Sequence, residues 1–474
     1  METETRNRPP RSEDRELTRQ FVELLLAWPA DSPALVERCR LLVLDGLAVA
    51  SAGARETGPL LAAELLREHG SSGPCTLIGR HETALAWDAA RINGMAMLVL
   101  DYEPMWSPAN HALSPLLPAL LALAQQRERM GHGPQGAALL RALAIGVEAQ
   151  GRLRLSSGEF EPGQLSLHPP GVVGAIAAAL GCAALLGLDP DTAVMAVGIA
   201  ASRTGGLLAN VGSHTKALHC GDAAAHGVHS TLLAQRGFGA NPDALAGPRG
   251  WGHAFFGERF DPTALLAPLG RGRALDPGCS WKLFPSQFAT HFGITAALDA
   301  RTRLGAIRAR DIQRAQLRVP AMPYIDRPRP VTGLEGKFSW QYTAAVALLD
   351  GEVTMHSFAD ARRHTPDVER LLERITVIPD AAIAGSFDRM HVELEVATGD
   401  GTTVATRCDA PIGSWKRPIE PARVMHKASE LLGATIGAER ASEFLDTLSE
   451  EASGLEVEKL LHLLQPLDIA RTTR

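Results

Sequence analysis

The chain has 474 residues, 45% apolar and only 5% aromatic, with 45 glycines and a net charge of −6. Such a length exceeds one ordinary core and predicts two or three domains, with an Ala/Gly-rich interior of closely packed helices. The absence of a basic tract interleaved with aromatics excludes a nucleic-acid partner, and six scattered cysteines without a CxxC pair exclude a disulfide framework.

Residues 1–13 (METETRNRPPRSE) are polar, lack the apolar stretch of a secretory signal and read as a disordered lead-in to a cytoplasmic chain. Residues 14–29 place Leu17, Phe21, Leu24 and Leu25 at helical spacing, and residues 33–52 repeat the pattern around Leu35, Cys39, Leu42 and Val43. Further helices are predicted at 113–126, 137–150, 171–187, 191–204 (opened by Asp-Pro-Asp) and 221–236 (stopped by Gly237). The stretch 171–188 is uncharged and nearly long enough to span a bilayer, but it is dominated by Ala and Gly and has no flanking Lys or Arg. It reads as a buried helix, with no membrane partner.

Near residue 275 the character changes. Residues 313–319 and 373–379 alternate and then meet a proline. Within 390–408, Val392, Leu394 and Val396 alternate, Gly-Asp-Gly follows, and a second alternating run returns, which predicts a hairpin. Helical patterns resume at 420–433, 439–450 and 455–464. The expected fold is mostly α: a helical domain over 14–275, an inserted α+β domain over 276–414, and a return to helices over 415–474.

Several motifs fail on context. Gly131-His132-Gly133-Pro134-Gln135-Gly136 fits GxGxxG by letter but follows a polar helix end, whereas a dinucleotide fingerprint needs a strand before it. His226 and His229 share a predicted helix face, yet no HExxH or acidic cluster accompanies them, so they read as packing residues. No metal and no cofactor is expected.

What remains is a series of polar segments beside Gly/Pro turns: Asn93-Gly94, Asp101-Tyr102-Glu103-Pro104, Ser107 to His111, His168-Pro169-Pro170, Ser213 to His219, Ser280 to Pro285, and Tyr324 to Pro328. Imidazole, ammonium and phenol groups at loop–helix junctions suit anion binding and proton transfer.

In this order the segments resemble those of the MmgE/PrpD family, which includes 2-methylcitrate dehydratase, cis-aconitate decarboxylase and iminodisuccinate epimerase. HPPGVVGAIAAALGCAALLGLD resembles the family's His-led helix, HTKALHCGDAAAHGVHS its Thr-Lys-x-x-His-x-Gly signature, and WKLFPSQFATHF its Lys-x-x-Pro segment. YIDRPRP with FSWQYTAAVALLDG most resembles the cis-aconitate decarboxylase branch. The similarity runs from about residue 15 to about 460.

The resemblance implies a helical domain formed by both chain ends, an inserted α+β lid, a homodimer, and a site in the cleft between domains. It implies a lyase that dehydrates or decarboxylates a small di- or tricarboxylate through an enolate-like intermediate, with charge stabilised by side chains. His111 and His168 are then the proton-transfer candidates, Lys216 and Lys282 hold carboxylates, Asp101 orients a histidine or lysine, and Tyr324 donates to the substrate or relays a proton. His219, Met105 and Gln287 complete the expected substrate-binding set. Three positions depart from the family pattern: Met105 replaces a hydroxyl residue, Ala112 a proline, and Gln287 a His or Cys. These changes allow a more hydrophobic, alkylated acid. The alternative readings are an isomerase or epimerase on a related dicarboxylate, and a paralogue that binds a carboxylate with altered or lost catalysis.

Overall fold

The computed structural model describes residues 17–449 and 455–466. The expected lead-in at 1–13, the first residues of the helix expected from 14, and residue 450 lie outside the described residues.

Helices dominate, as the sequence predicts: α1 (Leu17–Ala27), α2 (Pro33–Gly53), α3 (Thr57–Glu68), α4 (Ala86–Val99), α5 (Leu117–Arg129), α6 (Gly136–Ser156), α7 (Pro169–Leu186), α8 (Pro190–Ala201), α9 (His214–Ala234) and α10 (Trp251–Phe256) form the first part. A two-stranded ribbon, β1 (Cys75–Thr76) and β2 (Thr83–Ala84), interrupts them. Then follow α11 (Thr290–Leu304), β3 (Ile312–Val319), α12 (Gly333–Gly336), α13 (Trp340–Asp350), α14 (Asp360–Arg363), α15 (Pro366–Leu372), β4 (Ile375–Pro379), β5 (Val392–Thr398) and β6 (Thr403–Cys408). The chain ends in α16 (Pro421–Ile436), α17 (Ala438–Ser449) and α18 (Val457–Leu463).

The expected strands and hairpin are present. Their sheet has the order β4-β3-β5-β6, with β3 parallel to β4 and the β5–β6 hairpin in register from Val392–Cys408 to Ala397–Thr403. On one face Val392, Leu394 and Val396 are buried beneath α11, while α13 packs on β4 and α11. The other face is wet and carries cross-strand ion pairs such as Arg314–Glu395 at 2.5 Å and Arg407–Glu393 at 3.0 Å, which contribute little to stability. The apolar residues of β3–β6, α11, α13 and α15 form one cluster. A second cluster joins α2, α4 and α5 to α16, α17 and α18, so the first and last helices share a core.

Small residues set the spacing that the site depends on. A Cβ on Gly221 of α9 would lie 2.4 Å from the carbonyl oxygen of Arg91 on α4, and one on Gly94 would lie 3.1 Å from the Gly221 Cα. These two helices therefore touch backbone to backbone, which brings the C-terminal end of α4 beside the first turns of α9. Helix α7, long and apolar enough by composition to cross a membrane, is buried over 94% of its length and packs against α6, α8 and α9. Aspartate 189 caps α8 by accepting a hydrogen bond from the Thr192 amide at 2.9 Å.

Candidate active site

Segments distant in sequence surround one small cavity. The α4–α5 loop supplies Met105, Asn110 and His111; the N-cap of α7 supplies His168; the first turn of α9 supplies Lys216. Gln287 comes from the loop before α11, Tyr324 from the turn after β3, and Phe338 from the loop before α13. Leu165, Leu208, Val211 and Phe387 form much of the apolar wall.

Asp101 organises the charged side of this cavity from one layer behind it. It follows the end of α4 in the left-handed region, with φ of 52°, a conformation that an Asp tolerates better than most residues. That backbone turn points the carboxylate inward, where it is 1% exposed. One oxygen accepts from Lys216 Nζ and the other from Lys282 Nζ, and His111 Nε2 lies 3.6 Å from the second. Burial works against a charge on Asp101, but Lys216, Lys282 and His111 outweigh it and hold the carboxyl well below the usual carboxylate range.

Lys282 is 0% exposed and does not line the cavity. Its ammonium donates to Asp101, to the Asp101 carbonyl at 3.0 Å and to the Ser286 carbonyl at 3.1 Å, which accounts for all three protons. Lys282 is expected from the resemblance to hold a substrate carboxylate; in this arrangement its partners are protein acceptors, and it reaches Asp101. A third lysine, Lys337, went unnoticed in the sequence. It is buried and donates to the carbonyls of Leu100 at 3.0 Å and Pro285 at 3.1 Å.

The histidines form a row. His111 Nδ1 is 3.0 Å from Glu103 Oε1, which also accepts from Ser114 Oγ at 2.9 Å. Rings 111 and 168 have centroids 6.2 Å apart, and rings 168 and 219 are 5.3 Å apart, with Nδ1 of His168 at 3.2 Å from Nδ1 of His219. Burial lowers both His111 and His168; Lys216 and the neighbouring imidazoles push His168 down further, and Glu103 and Asp101 oppose the shift at His111. His219, expected to bind substrate, stands behind His168 and does not line the cavity.

Gln287 Nε2 donates to the Tyr324 hydroxyl at 2.9 Å, and its Oε1 accepts from the Ala289 amide at 2.6 Å. The amide is thereby fixed in one orientation, and Tyr324 keeps its own proton free to donate into the cavity. Burial raises Tyr324 above the ordinary phenol range, so it stays protonated. Lys216 Nζ also lies over the Phe338 ring at 4.9 Å, a cation–π contact. Three buried atoms here lack protein partners: His168 Nε2, Asn110 Oδ1 and Glu103 Oε2. Asn110 was visible in the sequence only as the neighbour of His111. Asn93, of the Asn93-Gly94 segment, is structural instead: its side-chain oxygen accepts from Ile78 N at 2.9 Å and its Nδ2 donates to the Thr76 carbonyl at 3.0 Å. The GHGPQG run joins α5 to α6, and His226 and His229 hydrogen-bond the Arg203 carbonyl and guanidinium, both at 2.9 Å.

Lys216 lines the cavity, with Lys282 and Lys337 buried behind it, an arrangement that favours a small anion. Burial pushes Lys337 down to about 8, against the pull of Glu56 and Asp101. A neutral amine still has two N–H donors for its two carbonyls, so deprotonation removes only the charge. We expect affinity for a small tricarboxylate to be full below pH ~8 and to fall several-fold above it, while a neutral amide analogue binds equally across that range. Inhibition constants measured from about pH 7 to 9.5 check this, and a flat profile for the tricarboxylate would exclude the effect.

The MmgE/PrpD N-terminal domain family matches residues 19–263 and the MmgE/PrpD C-terminal domain family matches residues 284–450. The chain is 33% identical to cis-aconitate decarboxylase of Homo sapiens over 393 residues, 81% of each chain. It is 25% identical to cis-aconitate decarboxylase of Aspergillus terreus over 457 residues, 91% of each. A 2-methylcitrate dehydratase-like protein of Aspergillus oryzae is 26% identical over 251 residues, 48% of this chain and 49% of its own length.

Proposed function

The chain belongs to the MmgE/PrpD family and is a lyase, and from that premise we propose that it decarboxylates a small unsaturated tricarboxylate of the cis-aconitate type. The observation that carries this reading is one cavity lined together by Lys216, His111, His168 and Tyr324, with Asp101 behind them. When carbon dioxide leaves a carboxylate, the electron pair of the breaking bond stays on the remaining fragment. There it spreads over the adjacent alkene and the other carboxylates until carbon takes a proton. Lys216 holds a carboxylate and stabilises that charge, worth ~3–4 kcal/mol of barrier for one well-placed donor. Tyr324 donates to a second carboxylate. His168, whose Nε2 has no protein partner, supplies the proton. His111, braced by Glu103, is the second proton-transfer candidate.

Side chains supply the charge stabilisation on this reading, without a metal or organic cofactor. The separate apolar cluster of β3–β6, α11 and α13 supports treating residues 276–414 as a lid over a body built from 14–275 and 415–474. We read the working enzyme as a cytoplasmic homodimer.

Met105 and Gln287 favour a second reading, loss of water from an alkylated hydroxy-acid, because a thioether and a fixed amide line the wall where the family has hydroxyl and titratable groups. Product NMR with carbon dioxide detection separates the two. We expect cis-aconitate to give carbon dioxide and a five-carbon unsaturated dicarboxylate. Water loss from 2-methylcitrate with no carbon dioxide from cis-aconitate would replace the first reading by the second. Deuterium exchange into a dicarboxylate without net loss would point to an isomerase, and binding without any conversion to an inactive paralogue.

A further inference from the structure

We propose that His219 is a proton-relay residue: it sets the tautomer of His168 and refills it from solvent through their Nδ1–Nδ1 contact. The inference rests on the lyase reading for its kinetic arm alone.

Two imidazoles facing each other through Nδ1 at 3.2 Å share one proton. If His219 donates, His168 presents an Nδ1 lone pair and must carry its proton on Nε2, the atom without a protein partner in the ring that lines the cavity. If His168 donates instead, its Nε2 is a lone pair and acts as a base. The state of this unpartnered nitrogen is therefore decided by a residue that does not line the cavity.

The contact is built, not incidental. Gly206, with φ of 127°, lies against the His219 ring: a Cβ there would sit 2.9 Å from Cγ and 3.0 Å from Nδ1. A Cβ on Gly171 would come within 3.4 Å of the His219 Cβ. The Gly206 carbonyl also accepts from the His168 amide at 2.9 Å, so one turn fixes both histidines. His219 is only half-buried, one helical turn from Asp222, whose charge favours its protonated form, while burial and Lys216 oppose it.

The proton balance closes. His168 gives its Nε2 proton to the carbanion, its Nδ1 takes the proton from His219 Nδ1, and His219 Nε2 takes one from a solvent water, leaving hydroxide. Both rings end neutral with tautomers exchanged. In the reset a water entering the vacated cavity protonates His168 Nε2, His168 Nδ1 returns its proton to His219 Nδ1, and His219 Nε2 returns one to the solvent hydroxide; the one hydroxide left per turnover takes up the released carbon dioxide as bicarbonate.

The test uses the full-length enzyme as wild type, His219→Ala and His219→Gln, with 15N-labelled histidine and His168→Gln to assign resonances. We expect the His168 Nδ1 and Nε2 shifts to change tautomer balance in both His219 variants; unchanged shifts overturn the relay. With cis-aconitate, we expect kcat to fall ~10–100-fold with KM within about twofold, and added imidazole to restore part of it in His219→Ala. A raised KM with unchanged kcat would make His219 a substrate-binding residue and sink the proposal. If the wild type releases no carbon dioxide, the decarboxylase reading fails, and the NMR result decides the relay by itself.

Discussion

Lys216→Met is expected to lower kcat/KM for the tricarboxylate by about 1,000-fold while leaving a folded protein. Lys216 is the lysine that lines the cavity; Lys282 and Lys337 are both engaged by protein carbonyls behind it. Its removal acts twice. The developing charge loses its nearest cation, a loss of ~10²–10³ in kcat for a single preorganised donor. In addition, the Asp101 oxygen that Lys216 covered now faces an anionic substrate, so KM rises too. Stability changes less, because Asp101 keeps Lys282 and His111. Lys216→Arg should recover little, since the ammonium fits between Asp101 and the Phe338 ring and a guanidinium carries its charge on a larger plane. Steady-state kinetics with thermal melting as a control check the expectation. A kcat/KM within tenfold of wild type for Lys216→Met would remove this lysine from the mechanism.

The elements that announced themselves are those with an amphipathic or alternating face. The β5–β6 hairpin has strict alternation about Gly399-Asp400-Gly401, and α16 buries Val424, Ala428 and Leu432 while its opposite side is wet. Helix α4 was not foreseen, for a physical reason: nearly every residue from Ala86 to Val99 is buried, so no polar face alternates with an apolar one. Helix α13 is hidden in the same way, buried from Trp340 to Leu348. The site was legible mainly through the resemblance, which named Asp101, His111, His168 and Lys216 together. Lys337 was invisible because a lysine in Gly-Lys-Phe looks like a solvated charge. Only the fold reveals that the Leu100 and Pro285 carbonyls converge on it. Likewise, spacing could not say that Lys282 and His219 stand one layer behind the cavity, because depth is a property of packing and not of sequence.

Asp101→Asn should destabilise the protein by on the order of 3–5 kcal/mol and abolish most activity, the second large effect expected here. The backbone tolerates the change, since Asn also accepts the left-handed conformation at φ of 52°. The electrostatics do not. Lys216 and Lys282 lose the charge that both of them contact, and an amide presents an N–H toward one of the ammonium groups. Lys282 is fully buried, and burial already lowers it against the pull of Asp101; without that pull it is driven further toward the neutral amine. The pH dependence distinguishes this from simple loss of packing. The native Asp101 lies well below its unfolded value of ~3.9, so its stabilisation is complete above about pH 4 and is lost only as pH falls through the lowered native value. The gap between wild type and variant should therefore be constant near neutrality and close in strong acid. For Lys282 the sign is opposite. Burial holds its native value below ~10.4, so the unfolded chain binds more protons in that window, and the variant should regain stability as pH rises toward it. Denaturant melts at about pH 2, 5, 7 and 9.5 test both limbs, with turnover measured at neutral pH. Wild-type stability and turnover in Asp101→Asn at neutral pH would show that Lys216 is held in place by something other than this carboxylate.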